Sequence, residues 1–122
     1  LFEGSDESPA ARGLGVLPGR LRLLPDTVKR PQMQWNLLER VGSPALLADA
    51  PDEAWAYFVH SYAADTEPSI VAATCDYGGP VVAAVERGSV WATQFHPEKS
   101  STTGLAALRS FVHAAAAASD AA

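Results

Sequence analysis

Thr93-Gln94-Phe95-His96-Pro97-Glu98-Lys99-Ser100 follows directly on the β-rich run from Val81 to Ala92. The two together read as a buried strand that ends by presenting an imidazole and, two residues on, a carboxylate. Pro97 stiffens the corner between them. Histidine takes and returns a proton near neutral pH, and a carboxylate on its far ring nitrogen fixes the tautomer and stabilises the imidazolium. His96 and Glu98 are thus candidates for half of a catalytic triad, and the chemistry asks for a nucleophile.

Working outward, Val81 to Arg87 and Val90 to Gln94 form an expected hairpin around Gly88-Ser89. Downstream, Leu105, Leu108, Val112 and Ala115 recur at spacings of three and four, with Phe111 beside them. That spacing predicts a helix from about Leu105 to Ala117, packing this face on the sheet, with His113 at its surface. Upstream, Ile70 to Cys75 reads as a strand, closed by the turn cluster Asp76-Tyr77-Gly78-Gly79-Pro80. Ala54 to Tyr62 has the aromatic and β-branched make-up of another. Trp55, Tyr57, Val59 and Ser61 would face one way, and Phe58, His60 and Tyr62 the other. On composition alone, His60 reads as a hydrogen-bonded structural histidine.

Ser43-Pro44 predicts a short helix through Leu47, with Ser43 as its N-cap. The polar stretch Lys29 to Asn36 holds Met33 and Trp35 outside any periodic pattern. Two accounts stand: a loop whose Trp caps the core, or a partner surface, for which exposed Trp and Met are suitable anchors. Arg20 to Leu24 alternates as a half-exposed strand does, and Gly13 to Gly19 reads as a short apolar strand or turn. Leu1-Phe2-Glu3 reads either as the last turn of a helix capped by Gly4 or as a frayed terminus that forms no helix by itself. The chain opens without an initiator methionine, as though a helix were entered midway, so a fragment is expected. No internal repeat or second domain is evident.

The length of 122 residues suits one domain with a real core. A net charge of −5 with no basic stripe disfavours nucleic-acid binding. The run Ala114 to Ala118 is far too short to span a bilayer, and no signal peptide pattern opens the chain, so a cytoplasmic location is expected. One cysteine, Cys75, cannot form an internal disulfide, in keeping with a reducing compartment.

Cys75 is also the best nucleophile the chain offers in principle. It follows a strand, but a turn and another strand come after it. No helix dipole would lower its pKa, and Asp76 beside it would raise it. Cys75 therefore reads as a small buried residue. No Gly-x-Ser-x-Gly elbow occurs, and nothing in the spacing of His60, His96 and Glu98 supports a zinc site. The economical expectation is a nucleophile upstream of Leu1.

Three motifs together, Gln94 to Ser100, Pro31 to Asn36 and Tyr57 to Tyr62, resemble the glutaminase subunit of imidazole glycerol phosphate synthase, over Leu1 to about Ala115. The Phe-His-Pro-Glu corner alone resembles class I glutamine amidotransferases in general; the other two motifs narrow the likeness. The resemblance implies a flavodoxin-like α/β three-layer fold with a mixed sheet and a C-terminal helix. It also implies that the chain is the C-terminal part of one amidotransferase domain, with the Gly-x-Cys-x-Gly elbow lying before residue 1. His96 would be the general base and acid, and Glu98 would orient it. His60, Ser61 and Tyr62 would line the glutamine pocket, largely through backbone groups. Trp35, Asn36 and Lys99 would meet a (β/α)₈ cyclase subunit in a heterodimer, which receives the ammonia. No cofactor and no metal are implied. The family usually has glycine where this chain has Gln34, so a position needing positive φ would be strained.

Three functional readings follow. The first is a glutaminase half-domain of histidine biosynthesis, inactive alone for want of its thiolate. The second is another class I glutaminase or a γ-glutamyl hydrolase sharing the His-Pro-Glu corner, and the third is a non-catalytic interaction module.

Overall fold

A computed structural model describes residues 1–121. Among these residues, nine strands and one helix run in chain order: β1 (Gly4–Ser5), β2 (Arg20–Leu23), β3 (Gln32–Leu37), β4 (Glu39–Arg40), β5 (Trp55–His60), β6 (Tyr62–Asp65), β7 (Val71–Asp76), β8 (Pro80–Arg87), β9 (Val90–Thr93) and α1 (Ser101–Ala121). They form a three-stranded sheet β1-β2-β6, a pair β3-β5 and a four-stranded sheet β4-β7-β8-β9. Only β1 and β2 run parallel among these ladders, so the architecture is mixed α/β with a C-terminal helix, as expected.

β8 is the most buried strand. Val81, Ala83, Ala84 and Val85 are all inside, a near-continuous apolar run rather than an alternation, because β7 and β9 flank it and other layers cover it. The hairpin to β9 turns at Gly88, whose φ of +58° a side-chain-bearing residue adopts only with strain. The main core gathers Leu24, Leu38, Leu47, Phe58, Cys75 and Phe95 around this sheet. Phe95 packs edge-on against Phe58 with ring centroids 6.0 Å apart, so the residue before His96 is pinned in the core.

Four expectations are corrected. Leu1 to Glu3 is not helical: the segment is extended and laced to the following loop, with Glu3 N–H donating to Gly19 C=O (3.0 Å) and Leu17 N–H to Leu1 C=O (3.1 Å). Gly4 then pairs with Arg20 instead of capping a helix. The backbone groups of this segment are satisfied by the neighbouring loop and by the edge of β2 instead of by a helical ladder.

The stretch around Trp35 is not a loop. Gln32 to Leu37 forms β3, antiparallel to β5, with Trp35 opposite Tyr57. Its pattern is inverted. Gln32, Gln34 and Asn36 share the face where their amides hydrogen-bond with one another, while Met33, Trp35 and Leu37 line the exposed face. Gln34 sits in regular strand without positive φ, so the strain expected at this position is absent.

Ser43 does not cap a helix. Ala45–Leu47 is a single 3₁₀ turn preceded by Pro44, without a side-chain cap.

The helix α1 buries the face opposite to the one expected. Thr103, Ala106, Ala107 and Ser110 are inside, at spacings of three and four, whereas Leu105, Leu108, Phe111 and Val112 are exposed. The reason is a close approach. A Cβ at Gly104 would overlap the Pro97 carbonyl oxygen, and at that separation only small side chains fit beneath the helix. Among the described residues, no helix is long and apolar enough to cross a membrane.

Candidate active site

The corner after β9 is built by backbone. Gln94 N–H still donates to Ala83 C=O at 2.8 Å, Phe95 dives into the core, and His96 emerges half-exposed. Pro97–Lys99 then makes one 3₁₀ turn with proline at its start, where a missing N–H costs nothing. That turn brings the carboxylate of Glu98 back to the ring: His96 Nδ1 lies 2.7 Å from Glu98 Oε1. The Glu98 carboxyl is held below its ordinary range, first by its own backbone N–H and then by the His96 ring. An ionised carboxylate only accepts, so it fixes the proton on Nδ1 and leaves Nε2 as the proton-accepting atom. Among the described residues, no side chain hydrogen-bonds Nε2.

Ser100 closes the corner from beneath. It is 1% exposed, its hydroxyl donates to His96 C=O at 2.7 Å, and it accepts Tyr57 N–H at 3.0 Å. Its oxygen is thus engaged with backbone and does not address the imidazole. Sequence reasoning misses this role, because a serine four residues after His96 looks the same whether it caps a helix, faces solvent or ties two segments.

His60 lies three residues along β5 from Tyr57, whose carbonyl accepts His96 N–H at 3.2 Å. At about 3.3 Å per residue this puts roughly 10 Å between the two points. The His60 ring does not project into the His96 corner. Nδ1 is 2.9 Å from Tyr62 C=O, and Nε2 is 2.8 Å from the side-chain amide of Gln32. Burial lowers its pKa, with the Tyr62 carbonyl opposing. Ser61 C=O accepts Leu24 N–H at 2.9 Å, and Tyr62 pairs with Leu23, so the strand end expected to line a pocket is joined to β2.

Gln32 is fully buried and contacts three groups: the His60 ring, Asn36 Oδ1 at 3.0 Å and Cys75 Sγ at 3.6 Å. Cys75 is itself fully buried, and burial pushes its thiol pKa up, with Asp76 and Glu39 adding to the effect. Such a thiol stays protonated and inert at neutral pH.

The three expected partner-facing residues separate. Trp35 is 46% exposed and stacks edge-on with Tyr57, and Lys99 is exposed beside Glu98. Asn36 is half-buried and turned inward, its amide donating to Asp76 C=O at 3.0 Å. Among the described residues, no three or more His, Cys, Asp or Glu side chains gather as a metal ion would need.

With this geometry in hand, the family model of class-I glutamine amidotransferases matches residues 19–115. The chain belongs to that family. This amidotransferase chain is 49% identical over 112 residues to the imidazole glycerol phosphate synthase subunit HisH of Desulfitobacterium hafniense, covering 91% of the chain and 53% of the relative. It is 47% identical over 112 residues to HisH of Methanothermobacter thermautotrophicus, covering 92% and 56%. Against HisH of Deinococcus radiodurans the identity is 46% over 114 residues, covering 91% and 53%. The amidotransferase chain therefore spans about half the length of the curated relatives it matches. The crystal structure of a GMP synthase component from Thermoplasma acidophilum superposes with a TM-score of 0.66 at 20% identity, covering 84% of this chain and 51% of that one. It supports the fold alone.

Proposed function

We propose that this chain carries the acid–base half of a glutaminase that feeds ammonia to a cyclase partner in imidazole glycerol phosphate formation, a step of histidine biosynthesis. The observation that carries the reading is the 2.7 Å contact between His96 Nδ1 and an ionised Glu98, which leaves Nε2 available for proton transfer. Identities of 46–49% to HisH proteins support the choice of pathway within the family.

In this reading a cysteine thiol, supplied from outside this chain, gives its proton to His96 Nε2, and the resulting thiolate attacks the side-chain amide carbon of glutamine. The tetrahedral intermediate collapses as His96 Nε2–H protonates the departing nitrogen, giving ammonia and a thioester. His96 then takes a proton from water, whose oxygen attacks the thioester carbon, releasing glutamate and the thiolate. Glu98 holds the ring in register and stabilises the imidazolium that exists before ammonia leaves and again once water has attacked. The segment His60-Ser61-Tyr62 borders the glutamine site.

The partner is a (β/α)₈ cyclase in a heterodimer, and its footprint includes Trp35 and Lys99. The face carrying Trp35 supports this: Met33, Trp35, Leu37 and Trp55 are each 38–60% exposed on adjacent strands, an apolar surface of the kind partners cover. Asn36, turned inward, would act by shaping that strand. A cytoplasmic location is part of the same proposal.

The deciding experiment places His96→Ala in the full-length protein bearing this chain, in complex with its cyclase. Glutamine-dependent synthesis should vanish while ammonia-dependent synthesis persists. Equal loss of both activities, or survival of both, would sink the assignment.

A further inference from the structure

Three hydrogen bonds close a ring beneath the candidate base. His96 N–H donates to Tyr57 C=O (3.2 Å), Tyr57 N–H donates to Ser100 Oγ (3.0 Å), and Ser100 O–H donates to His96 C=O (2.7 Å). Both polar groups of the Tyr57 backbone are thereby turned to the corner, on the edge of β5 not used by β3. Both backbone groups of His96 are bound as well, since its carbonyl also accepts Lys99 N–H at 3.0 Å. Ser100 is the one side chain in the ring, and at 1% exposure no water replaces it from the surface. Its hydroxyl both gives and takes a hydrogen bond between the two segments, which an apolar side chain of the same size cannot do.

We infer that Ser100 is a positioning residue for His96: its hydroxyl fixes the main chain from which the imidazole springs, and so sets where Nε2 meets the leaving nitrogen. The inference rests on the glutaminase reading. Ser100 touches neither the ring nor, in that reading, the substrate. Its effect is on geometry at the moment of proton transfer, where displacements of about 1 Å cost up to about 100-fold in rate.

The test uses the full-length protein in complex with its cyclase and compares Ser100→Ala, Ser100→Cys and His96→Ala. Ser100→Ala should lower glutamine-dependent kcat roughly 10- to 100-fold, with KM for glutamine and ammonia-dependent synthesis unchanged. Ser100→Cys, nearly isosteric and a weaker donor and acceptor, should restore part of that loss. A folded Ser100→Ala protein with kcat within about twofold of the parent overturns the inference, as does a change confined to KM. So does a Ser100→Cys protein no faster than Ser100→Ala. If Ser100→Ala fails to fold, Ser100→Cys carries the test alone: a reduced kcat at constant KM supports the clamp, and an unchanged kcat overturns it. His96→Ala reports separately on the glutaminase reading, because retained glutamine-dependent activity there removes that reading, whatever Ser100 does.

Discussion

Gly104 meets the Pro97 carbonyl so closely that a Cβ on residue 104 would overlap the oxygen. The start of α1 and the turn that holds Glu98 are therefore packed backbone to backbone. In an ordinary exposed helix, glycine to alanine would stabilise by about 1 kcal/mol. Here Gly104→Ala should instead destabilise by about 1–3 kcal/mol through overpacking. Urea unfolding checks the sign: a raised midpoint would mean that the helix does not approach Pro97 as described.

The same helix makes its two faces distinguishable. Ala107 is buried, and Leu108 beside it is 46% exposed. Ala107→Leu should cost about 1–3 kcal/mol because the space beneath the helix is filled. Leu108→Gln should stay within about 0.5 kcal/mol. The reverse ranking in a denaturation series would restore the face expected from periodicity.

Glu98→Gln keeps the shape of the side chain and removes its charge. If the proposed glutaminase reading holds, glutamine-dependent kcat of the cyclase complex should fall by up to about 10⁴-fold, the cost of a mis-set tautomer in triad enzymes. Ammonia-dependent synthesis should be spared. The Glu98 carboxyl is depressed below its ordinary 4.5. Its contribution to stability is therefore complete above that value and is lost as pH falls through the folded-state pKa. A carboxyl resonance for Glu98 titrating above 4.5 would contradict the contact with His96.

His60 should titrate at lower pH than a surface histidine, because burial disfavours its charged form. Burial lowers its pKa from 6.5, so the unfolded chain takes up a proton at a pH where the folded one does not. Stability should fall as pH drops through 6.5 toward the folded-state value, then level off with respect to this group. Following the ring protons by NMR decides it, with a midpoint above 6.5 counting against the burial described.

Trp35→Ala removes the largest ring from the exposed face of β3 and its edge contact with Tyr57. If a cyclase covers this face, affinity should weaken by at least about tenfold, the loss expected of an aromatic anchor. Titration calorimetry against the cyclase would show it, and unchanged affinity would move the footprint elsewhere.

Much was legible in the order of residues alone. The Phe-His-Pro-Glu corner, the apolar run of β8, the glycine turn before β9 and the existence of a C-terminal helix all follow from local pattern, because buried strands, turns and helices each impose a period or a φ that neighbouring residues must satisfy. The family likeness rested on that corner together with Pro31 to Asn36 and Tyr57 to Tyr62. What failed to be legible were places where a distant partner reversed the local rule. β3 hides as a polar loop because Gln32 and Asn36 are polar residues satisfied inward, by His60, by each other and by the Asp76 carbonyl, while its apolar residues face out. In α1 the large apolar residues read as the buried stripe, but contact with Pro97 admits only the small ones.

The sequence by itself determined that an imidazole and a carboxylate stand two residues apart after a strand, which the structure finds half-buried, and it pointed to the proton transfer such a pair can perform. Only the tertiary structure decided that the two groups meet at 2.7 Å, that Ser100 faces the backbone of β5 and not the ring, and that Cys75 is sealed against Gln32. The physical reason is range. A turn is dictated by its own residues, whereas the partner of a buried hydroxyl or thiol is brought by a strand more than forty positions away.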